Sequence, residues 1–428
     1  MKRKEKALFM TVGTGLNPDS KEEGYKQLAQ KLYSTINKIY PNLVVFFASD
    51  ISSHTVKYIE ELFRQDGDEF IEHEDYEIVP MENIDDFNSC FESFEEMIWV
   101  LDYQKEEDYQ IIMDYTSGTK TMSAAMACCG MFYSKDLISV GGDRSKGEVL
   151  AGTELIHYQN LYKIYDKFSI MRIRSSFNAN RFMYCIDILN YIVDLNIHKE
   201  SMLELCKAYF AWDNMDFERA YRHLTQVNLN GIEFSEIDKE LKKNLNALGI
   251  IINSKSQNLK NCYILASLIN NSIRRSEEYK FDDAIARLYR SFELIAQIRL
   301  TSYNIKSSDI DLERIRELGV SEEFIAELEK EREDGKIRIG LVKDYYLLNE
   351  LGDDLGKYYI ENENKIKNLT IKRNNSILAH GLDSQKKEDF DKFLDLVLVL
   401  AKKLDKDMNK FLNETVFAKF DLRLEINQ

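Results

Sequence analysis

The 428-residue sequence contains only three prolines and six histidines, and no apolar run in it reaches the length of a membrane span. A transmembrane helix needs about 18 or more such residues, so we expect no membrane association. Few prolines, together with stretches rich in Leu, Ile, Lys and Glu, predict a largely helical chain. Neither a CxxC nor an HExxH motif is present, which argues against a structural zinc site, and we expect no metal and no cofactor.

Basic residues are also fewer than acidic residues. The 57 Lys and Arg against 73 Asp and Glu give a formal net charge of −16. This balance argues against stable binding of duplex DNA, but it leaves room for a nucleic-acid ligand held in a local pocket. The six cysteines have no regular spacing, which predicts free, mostly buried thiols and a reducing, cytoplasmic location. The opening "MKRKEKALFMTVGTG" is too short in apolar residues for a signal peptide and predicts a first strand.

Residues 1–158 alternate strand-like and helix-like patterns. The apolar runs "ALFMTVG", "NLVVFFASD", "YQIIMDYTSGTKT" and "LISVGGDR" end in small polar residues, and helical spacing such as "YKQLAQKLYSTINKIY" lies between them. Buried strands that alternate with helices are typical of a doubly wound parallel sheet. We therefore predict an α/β, Rossmann-like fold for this region.

From residue 159 onward the pattern is helical, so the predicted fold class is α/β plus all-α. Residues 159–265 are predicted to form a helical linker, with apolar residues at helical spacing around a turn at "DNMD". A tetratricopeptide-like repeat is an alternative, although no regular second copy is evident. Residues 266–428 are predicted as a second helical domain, and the tail "TVFAKFDLRLEI" alternates like a short strand.

Small polar residues follow the predicted strands of the first region. Because ligands bind at the carboxyl ends of such strands, we expect a binding pocket there. The candidates are Thr11, Gly13, Thr14, Gly15, Ser49, Asp50, Ser52, Thr116, Ser117, Gly118, Thr119, Lys120, Gly142 and Arg144. In "TSGTKT", free amides, hydroxyls and a Lys at a helix start suit a phosphate or a polar sugar edge. The alternative is a capped helix after a tight turn.

Two familiar phosphate motifs are absent from this region. A Walker A loop needs Gly-Lys-Ser/Thr, whereas Lys120 follows Thr119. A dinucleotide fingerprint needs a third Gly, whereas Gly13-Thr14-Gly15 continues with Leu-Asn-Pro. The sequence therefore supports neither an ATPase nor an NAD enzyme, and a nucleotide-like ligand is still expected.

The stretch "RNNSILAHG" in the last region places Arg373 and His380 seven residues apart. On a continuous helix that spacing brings two side chains to one face about 10.5 Å apart, with Asn374 close to that face and Gly381 ending the helix. Arg can hold a phosphodiester, and His can move protons during attack by the 2′-OH. In the last turn of a helix, the negative end of the helix dipole would also favour the protonated form of His380. The alternative is a solvated helix face.

Taken together, these segments resemble a known family. "TVGTG", "FFASDISS" and "DYTSGTKTM" resemble the CARF domain of CRISPR-associated proteins, and "RNNSILAH" resembles the HEPN ribonuclease motif. "YKFDDAIARLYRSFELIAQ" is similar to the early HEPN helix of the same proteins. The chain thus resembles the CARF–HEPN ancillary ribonucleases of type III CRISPR systems, of the Csm-six kind and the 02710-type subgroup.

The resemblance implies a specific activity. It implies a homodimer whose CARF domains bind cyclic tetra- or hexa-adenylate as an allosteric activator. The HEPN domains would then cleave single-stranded RNA without a metal, in antiviral defence. By position, Arg373, Asn374 and His380 would form a composite catalytic site. Slow cleavage of the activator by the CARF domain is a further possibility, with Thr14 and Thr116 as candidates.

Other readings stay open at this point. A nucleotide-sensing protein with a non-catalytic HEPN module is the main alternative, and a nucleotide-dependent oxidoreductase is a remote one. Trp99 and Trp212 are predicted to lie in the core. The residues His157, His198 and His223 are expected to be structural. Glu293 could brace the catalytic segment or be a surface charge.

Overall fold

The computed structural model describes residues 5–15, 20–66, 76–104, 109–145, 148–149, 152–159, 162–192, 199–228 and 234–422. The chain forms two compact units, residues 1–165 and 166–428. The boundary between the two units falls seven residues after the domain boundary predicted at 158/159. In the described part of the chain, no helix is long and apolar enough to cross a membrane.

The first unit contains a six-stranded sheet with the order β3-β2-β1-β4-β5-β8. Its strands are β1 (Glu5–Val12), β2 (Leu43–Ala48), β3 (Tyr76–Pro80), β4 (Tyr109–Asp114), β5 (Asp136–Gly141) and β8 (Leu155–Gln159). The first five run parallel, as predicted, and β8 pairs antiparallel with β5 at the edge. A short hairpin, β6 (Arg144–Ser145) with β7 (Glu148–Val149), lies between β5 and β8.

Helices cover both faces of this sheet. They are α1 (Lys21–Ile39), α2 (Ser53–Asp66), α3 (Phe87–Trp99) and α4 (Lys120–Phe132), with a π-helical turn at Val100–Gln104 after α3. Leu8 and Met10 of β1 pack in the core that contains α1 and α2, whereas Ala7 and Phe9 pack in the core that contains α3 and α4. Because alternate residues of the strand are buried on opposite faces, the strand is a continuous apolar run in sequence.

The order of the sheet reverses at β1, which lies between β2 and β4. The loops after β1 and β4 therefore leave the carboxyl edge beside each other, and a crevice forms where their connections diverge. The sequence candidates at residues 13–15 and 116–119 occupy these two loops, and Thr11 and Lys120 lie at the adjoining ends of β1 and α4.

The second unit is built from helices around one continuous apolar core. The helices are α5 (Tyr162–Asn178), α6 (Phe182–Tyr191), α7 (Lys199–Asp213), α8 (Phe217–Leu224), α9 (Asp238–Asn253), α10 (Gln257–Glu277), α11 (Phe281–Ser302), α12 (Leu312–Glu317), α13 (Glu322–Glu329), α14 (Leu341–Glu350), α15 (Asp354–Glu361), α16 (Glu363–Asn374), α17 (Lys387–Leu404) and α18 (Met408–Glu414). A hairpin of β9 (Arg332–Glu333) and β10 (Lys336–Ile337) follows α13. The boundary predicted at 265/266 falls inside α10.

Three helix-to-helix turns of this unit share one conformation. The left-handed residues Asn180, Met215 and Tyr279 each stand two positions before a Phe that opens the next helix. In each turn the left-handed residue donates its N–H to the carbonyl three residues earlier, and the next residue donates to the carbonyl five earlier. This pairing is the Schellman helix end. The turns are 35 and 64 residues apart, a recurrence that a search for one strict period misses.

Two sequence predictions for packing are wrong. Trp99 is 52% exposed, with its ring 4.6 Å from that of Tyr103, whereas the neighbouring Ile98 and Leu101 are buried. Trp212 is buried, as predicted. In the described part of the tail, residues 415–422 form no strand. Phe417, Ala418 and Phe420 enter the helical core, and Ala418 N–H donates to the Tyr209 hydroxyl at 2.9 Å.

Candidate functional site

A cavity of about 350 Å³ lies at the carboxyl edge of the first unit's sheet. Its lining combines backbone and side chains of two loops, those after β1 and β4, with one face of α1. Six predicted residues contribute: Gly13, Thr14, Gly15, Thr116, Ser117 and Gly118. Two of the four loops that the sequence analysis singled out therefore contribute to this cavity.

Close contacts lock the two loops together. The Thr11 hydroxyl donates to the Ser117 carbonyl, and Gly13 N–H donates to Ser117 Oγ at 3.1 Å. Gly118 has φ +84°, and a Cβ there would lie 3.1 Å from the Cβ of Thr11. Glycine is therefore required both for the left-handed backbone and for the close approach of the loops.

Asp114 is the buried acid of this cavity. Its Oδ1 accepts hydrogen bonds from the Thr116 N–H at 2.9 Å and the Thr116 hydroxyl at 2.5 Å. Its Oδ2 has no hydrogen-bond partner among the described residues. Burial raises the pKa of Asp114 to about 6, against the effect of the Thr116 hydrogen bonds. An unpaired buried oxygen beside a cavity can bind an amine or a ring N–H of a ligand.

The other predicted pocket residues do not line this cavity. Ser49 and Ser52 bond each other before α2, with 3.1 Å between their hydroxyl oxygens. Thr119 caps α4 by accepting from Met122 N–H, as the alternative reading of "TSGTKT" proposed. Asp50 and Lys120 are exposed. Gly142 has φ +150°, and a Cβ there would lie 2.6 Å from the Thr153 carbonyl oxygen. The side chain of Arg144 lies outside the described residues.

The sequence analysis missed the lining residues that come from outside the loops after β1 and β4, among them three polar ones. Lys31 and Thr35 come from α1, and Glu154 comes from the segment before β8. Glu154 is buried and accepts from Ser34 Oγ at 3.1 Å and Gly152 N–H at 3.0 Å. Burial raises the pKa of Glu154, but these hydrogen bonds and Lys38 together lower it below its usual range. Helical spacing on α1 could have suggested Lys31 and Thr35, which stand four residues apart.

In the second unit, the segment with Arg373 and His380 is not one helix. α16 ends at Asn374, and the residues up to Gly381 form consecutive turns. Asn375 terminates the helix. A Cβ on Gly381 would lie only 2.1 Å from the Asn375 carbonyl oxygen. The predicted shared helical face and the helix-end effect on His380 are therefore wrong. The chain instead folds back on itself, with His380 N–H donating to the Asn374 carbonyl at 3.0 Å.

Arg373 is held by an aromatic residue that sequence reasoning missed. Its guanidinium carbon lies 4.3 Å from the centre of the Tyr289 ring on α11. Nη1 donates to Asn374 Oδ1 at 3.1 Å, and Nε has no hydrogen-bond partner among the described residues. Burial and the neighbouring Glu293 raise the pKa of Tyr289, and Arg373 opposes this. Glu293 therefore lies close to the Tyr289 hydroxyl, on the residue whose ring positions Arg373.

His380 projects from the turns into solvent. Within the described residues, its ring has no hydrogen-bond or ion-pair partner. The segment that carries it is nevertheless anchored at both ends. Gln385 Nε2 donates to the Lys372 carbonyl at 3.1 Å, and Gln385 N–H donates to Asp282 at the start of α11 at 3.4 Å. A fixed backbone with a free imidazole suits proton transfer to a bound substrate.

Large apolar side chains are exposed around this motif. They are Ile371, Ile377, Leu378 and Leu382, the last of them 89% exposed. These four residues stand within twelve positions of sequence, in the segment that also carries Arg373 and His380. A surface of this kind marks an interaction site.

The comparisons with known proteins agree with this layout. Residues 165–251 match the family model of the Csm6 6H domain, and residues 253–404 match that of the Csm6 HEPN domain. A search of curated protein sequences finds no match. Among solved structures, the chain is similar to Enterococcus italicus Csm6 bound to cyclic hexa-2′-fluoro-hexa-dAMP. The identity is 14% and the TM-score 0.59, over 96% of this chain and 99% of that one.

The two domain matches are consecutive and together span more than half of the chain. The HEPN match contains both Arg373 and His380. The solved structure extends the likeness in fold to the N-terminal α/β unit. These findings confirm the resemblance inferred from the sequence motifs: the chain belongs to the Csm6 family of CRISPR ancillary ribonucleases.

Proposed function

We propose that this protein is a cyclic oligoadenylate-activated endoribonuclease that cleaves single-stranded RNA without a metal, in the cytoplasm. The observation that carries the proposal is the HEPN segment itself. In this segment the Arg373 guanidinium lies over the Tyr289 ring. The His380 imidazole, which has no partner among the described residues, stands on an anchored turn, and both residues lie within the Csm6 HEPN match.

The chemistry follows from these two side chains. The 2′-oxygen of a ribose attacks the adjacent phosphorus, the bond to the 5′-oxygen breaks, and a 2′,3′-cyclic phosphate and a 5′-hydroxyl result. Arg373 binds the phosphate oxygens, where charge accumulates in the transition state. Asn374 supports Arg373 through its side-chain oxygen. His380 takes the proton of the 2′-hydroxyl or supplies one to the 5′-oxygen.

A homodimer would complete this site. Cleavage is helped by both a base and an acid, and one chain supplies one His380. The exposed apolar residues beside the motif support a two-fold interface there, because an isologous contact buries the same surface on both subunits. Two copies of His380 would then face one cleft.

The cavity of the first unit is proposed to bind part of the activator. An adenine offers an exocyclic amine and ring nitrogens, and Asp114 offers a buried oxygen without a partner. The backbone amides around Gly118 suit a phosphate, whereas Lys120 is exposed and does not line the cavity. The relative solved as a complex with a cyclic hexanucleotide supports a ring of this class. Binding activates only if the ligand prefers the active arrangement of the dimer.

Destruction of the activator by this unit is also proposed. The hydroxyls of Thr14 and Thr116 line the same cavity. That of Thr116 is already engaged, since it donates to Asp114 and accepts from Val140 N–H at 2.8 Å. Thr14 is therefore the more available of the two.

The first test is cleavage of a fluorescent single-stranded RNA in EDTA with cyclic tetra-adenylate, cyclic hexa-adenylate or neither. We expect one ring to stimulate cleavage by about 10- to 100-fold, in the range of ordinary allosteric coupling. Failure of both rings to stimulate cleavage would favour a nucleotide-sensing protein with a non-catalytic HEPN module. Activity that requires added Mg²⁺ would contradict metal independence.

The platform under Arg373 gives a second prediction. Tyr289→Ala removes the ring and should lower kcat about 10-fold or more, since Arg373 loses its position and a cation–π contact of about 1–2 kcal/mol. Tyr289→Phe keeps the ring and should retain most of the activity. Equal losses in both variants would show that the hydroxyl, and not the ring face, is what matters.

A further inference from the structure

A second, larger cavity of about 1040 Å³ lies in the helical unit, and the proposed reaction does not yet use it. It forms where the three turns of equal conformation meet, those of α5–α6, α7–α8 and α10–α11. Residues of each turn line it, among them Asn180, Asn214 and Tyr279. Three helices therefore end at this cavity, and their C-terminal dipoles would make it negative unless cations were present.

The acidic side chains of the cavity are already neutralised. Three carboxylates line it, and each has a basic partner. The pairs are Asp213 with Arg275 at 2.5 Å, Glu277 with Lys419 at 3.1 Å and Glu278 with Lys280 at 2.7 Å. These pairs leave little carboxylate charge to attract a cationic ligand.

Two further guanidiniums of the lining have no carboxylate partner in the part of the chain that the structure describes. Arg172 donates only to the Tyr184 hydroxyl at 2.5 Å, among its described contacts. Arg181 has neither a hydrogen-bond nor an ion-pair partner within the described residues. Both side chains are exposed and retain most of their N–H donors. They therefore favour an anionic ligand, and the planar guanidinium group suits phosphate in particular.

An aromatic ring stands at the edge of the same cavity. Tyr279 is 83% exposed and has φ +61°, although a left-handed backbone is unfavourable for an aromatic residue. An exposed ring beside cations is the pattern of a surface for single-stranded nucleic acid, because bases stack on the ring while phosphates bind the cations.

The cavity is also connected to the catalytic segment. Tyr279 and Lys280 immediately precede α11, and Asp282 in the first turn of that helix accepts from Gln385 N–H. Farther along α11, Tyr289 holds Arg373. Nine residues separate Lys280 from Tyr289, which is about 14 Å along a helix axis. One helix thus carries both the edge of the cavity and the platform of the catalytic Arg.

We infer that this cavity is a subsite for single-stranded RNA, which binds a phosphate at Arg172 and Arg181 and a base on Tyr279, away from the scissile bond. The inference rests on the proposed ribonuclease function and adds a determinant of substrate length to it. Long RNA would use both the subsite and the catalytic cleft, whereas a short oligonucleotide would use the cleft alone.

The test compares kcat/KM for RNA of roughly 20 nucleotides with that for roughly 4 nucleotides, a span chosen from the usual size of single-strand sites. The full-length, activated protein is used throughout. In Arg172→Gln/Arg181→Gln, we expect kcat/KM for the long RNA to fall about tenfold and that for the short RNA to stay unchanged. Tyr279→Asn should act in the same direction, since Asn tolerates the left-handed backbone and removes the ring.

Matched controls come from the same unit. Arg219→Gln/Arg222→Gln removes two exposed charges from α8, and Met215→Asn makes the equivalent turn substitution. None of these three residues lines the cavity. The subsite would be overturned if the control variants lowered the ratio of kcat/KM for long RNA to kcat/KM for short RNA as much as the cavity variants do. It would also be overturned if the cavity variants lost activity equally on both RNAs. If the native protein cleaves neither RNA with any activator, the ribonuclease function itself is wrong and the subsite falls with it.

Discussion

His380→Ala should lower activated cleavage of single-stranded RNA by about 10²- to 10⁴-fold, the usual contribution of a general acid or base. The imidazole is exposed, and among described residues nothing bonds to its ring, so its removal leaves no buried partner unsatisfied. The backbone turn is held by His380 N–H and by Gln385, which the substitution keeps. The measurement is single-turnover cleavage at saturating activator.

The matched control is binding of the cyclic activator to the same variant. Its Kd should not change, because the cavity with Asp114 and Gly118 belongs to the other unit. Loss of both cleavage and activator binding would contradict the assignment of separate roles. Cleavage that survives in both His380→Ala and Arg373→Ala would show that RNA is cut elsewhere, and would revive the non-catalytic reading of the HEPN domain.

Asp213→Ala should destabilise the helical unit by about 3–5 kcal/mol, the range found when one member of a buried ionic group is removed. Asp213 accepts from Arg274 Nε at 2.8 Å, Arg275 Nη2 at 2.5 Å and Asn271 Nδ2 at 2.9 Å. Burial already lowers the pKa of Arg274, against the effect of Asp213. The variant would leave the buried Arg274 guanidinium without its carboxylate, and Arg275 would keep only Glu278, 2.7 Å away.

The stability change is measured by urea unfolding followed through tryptophan fluorescence. Two units need not unfold together, so a signal from one unit is required. In a Trp99→Phe background the remaining Trp212 is buried in the helical core and reports that unit alone. Asp391→Ala is the control: its exposed pair with Lys387 should be worth less than about 1 kcal/mol. Equal effects in the two variants would contradict the role of the buried network.

Much of the architecture could be read from local pattern. Residues such as Leu8 and Phe9 alternate between two buried faces, which makes β1 a continuous apolar run followed by glycine. These runs predicted a doubly wound parallel sheet, whose ligands bind at the carboxyl ends of the strands. The structure then showed that β1 lies between β2 and β4, which brings the loops after β1 and β4 together. The contribution of α1 to the cavity was missed, because Lys31 and Thr35 belong to an ordinary amphipathic pattern until the sheet fixes which face is inward.

By itself, the sequence determined that an α/β unit precedes helices, and that Arg373 and His380 belong to one short motif of the Csm6 HEPN match. Both depend on residue order and short-range spacing. The tertiary structure alone decided that α16 ends at Asn374, that Tyr289 lies under Arg373, and that three distant turns meet at one cavity. The spacing of residues along a helix does not predict where tertiary packing ends that helix. Contacts between residues 84 or more positions apart depend on how the helices close around their shared core.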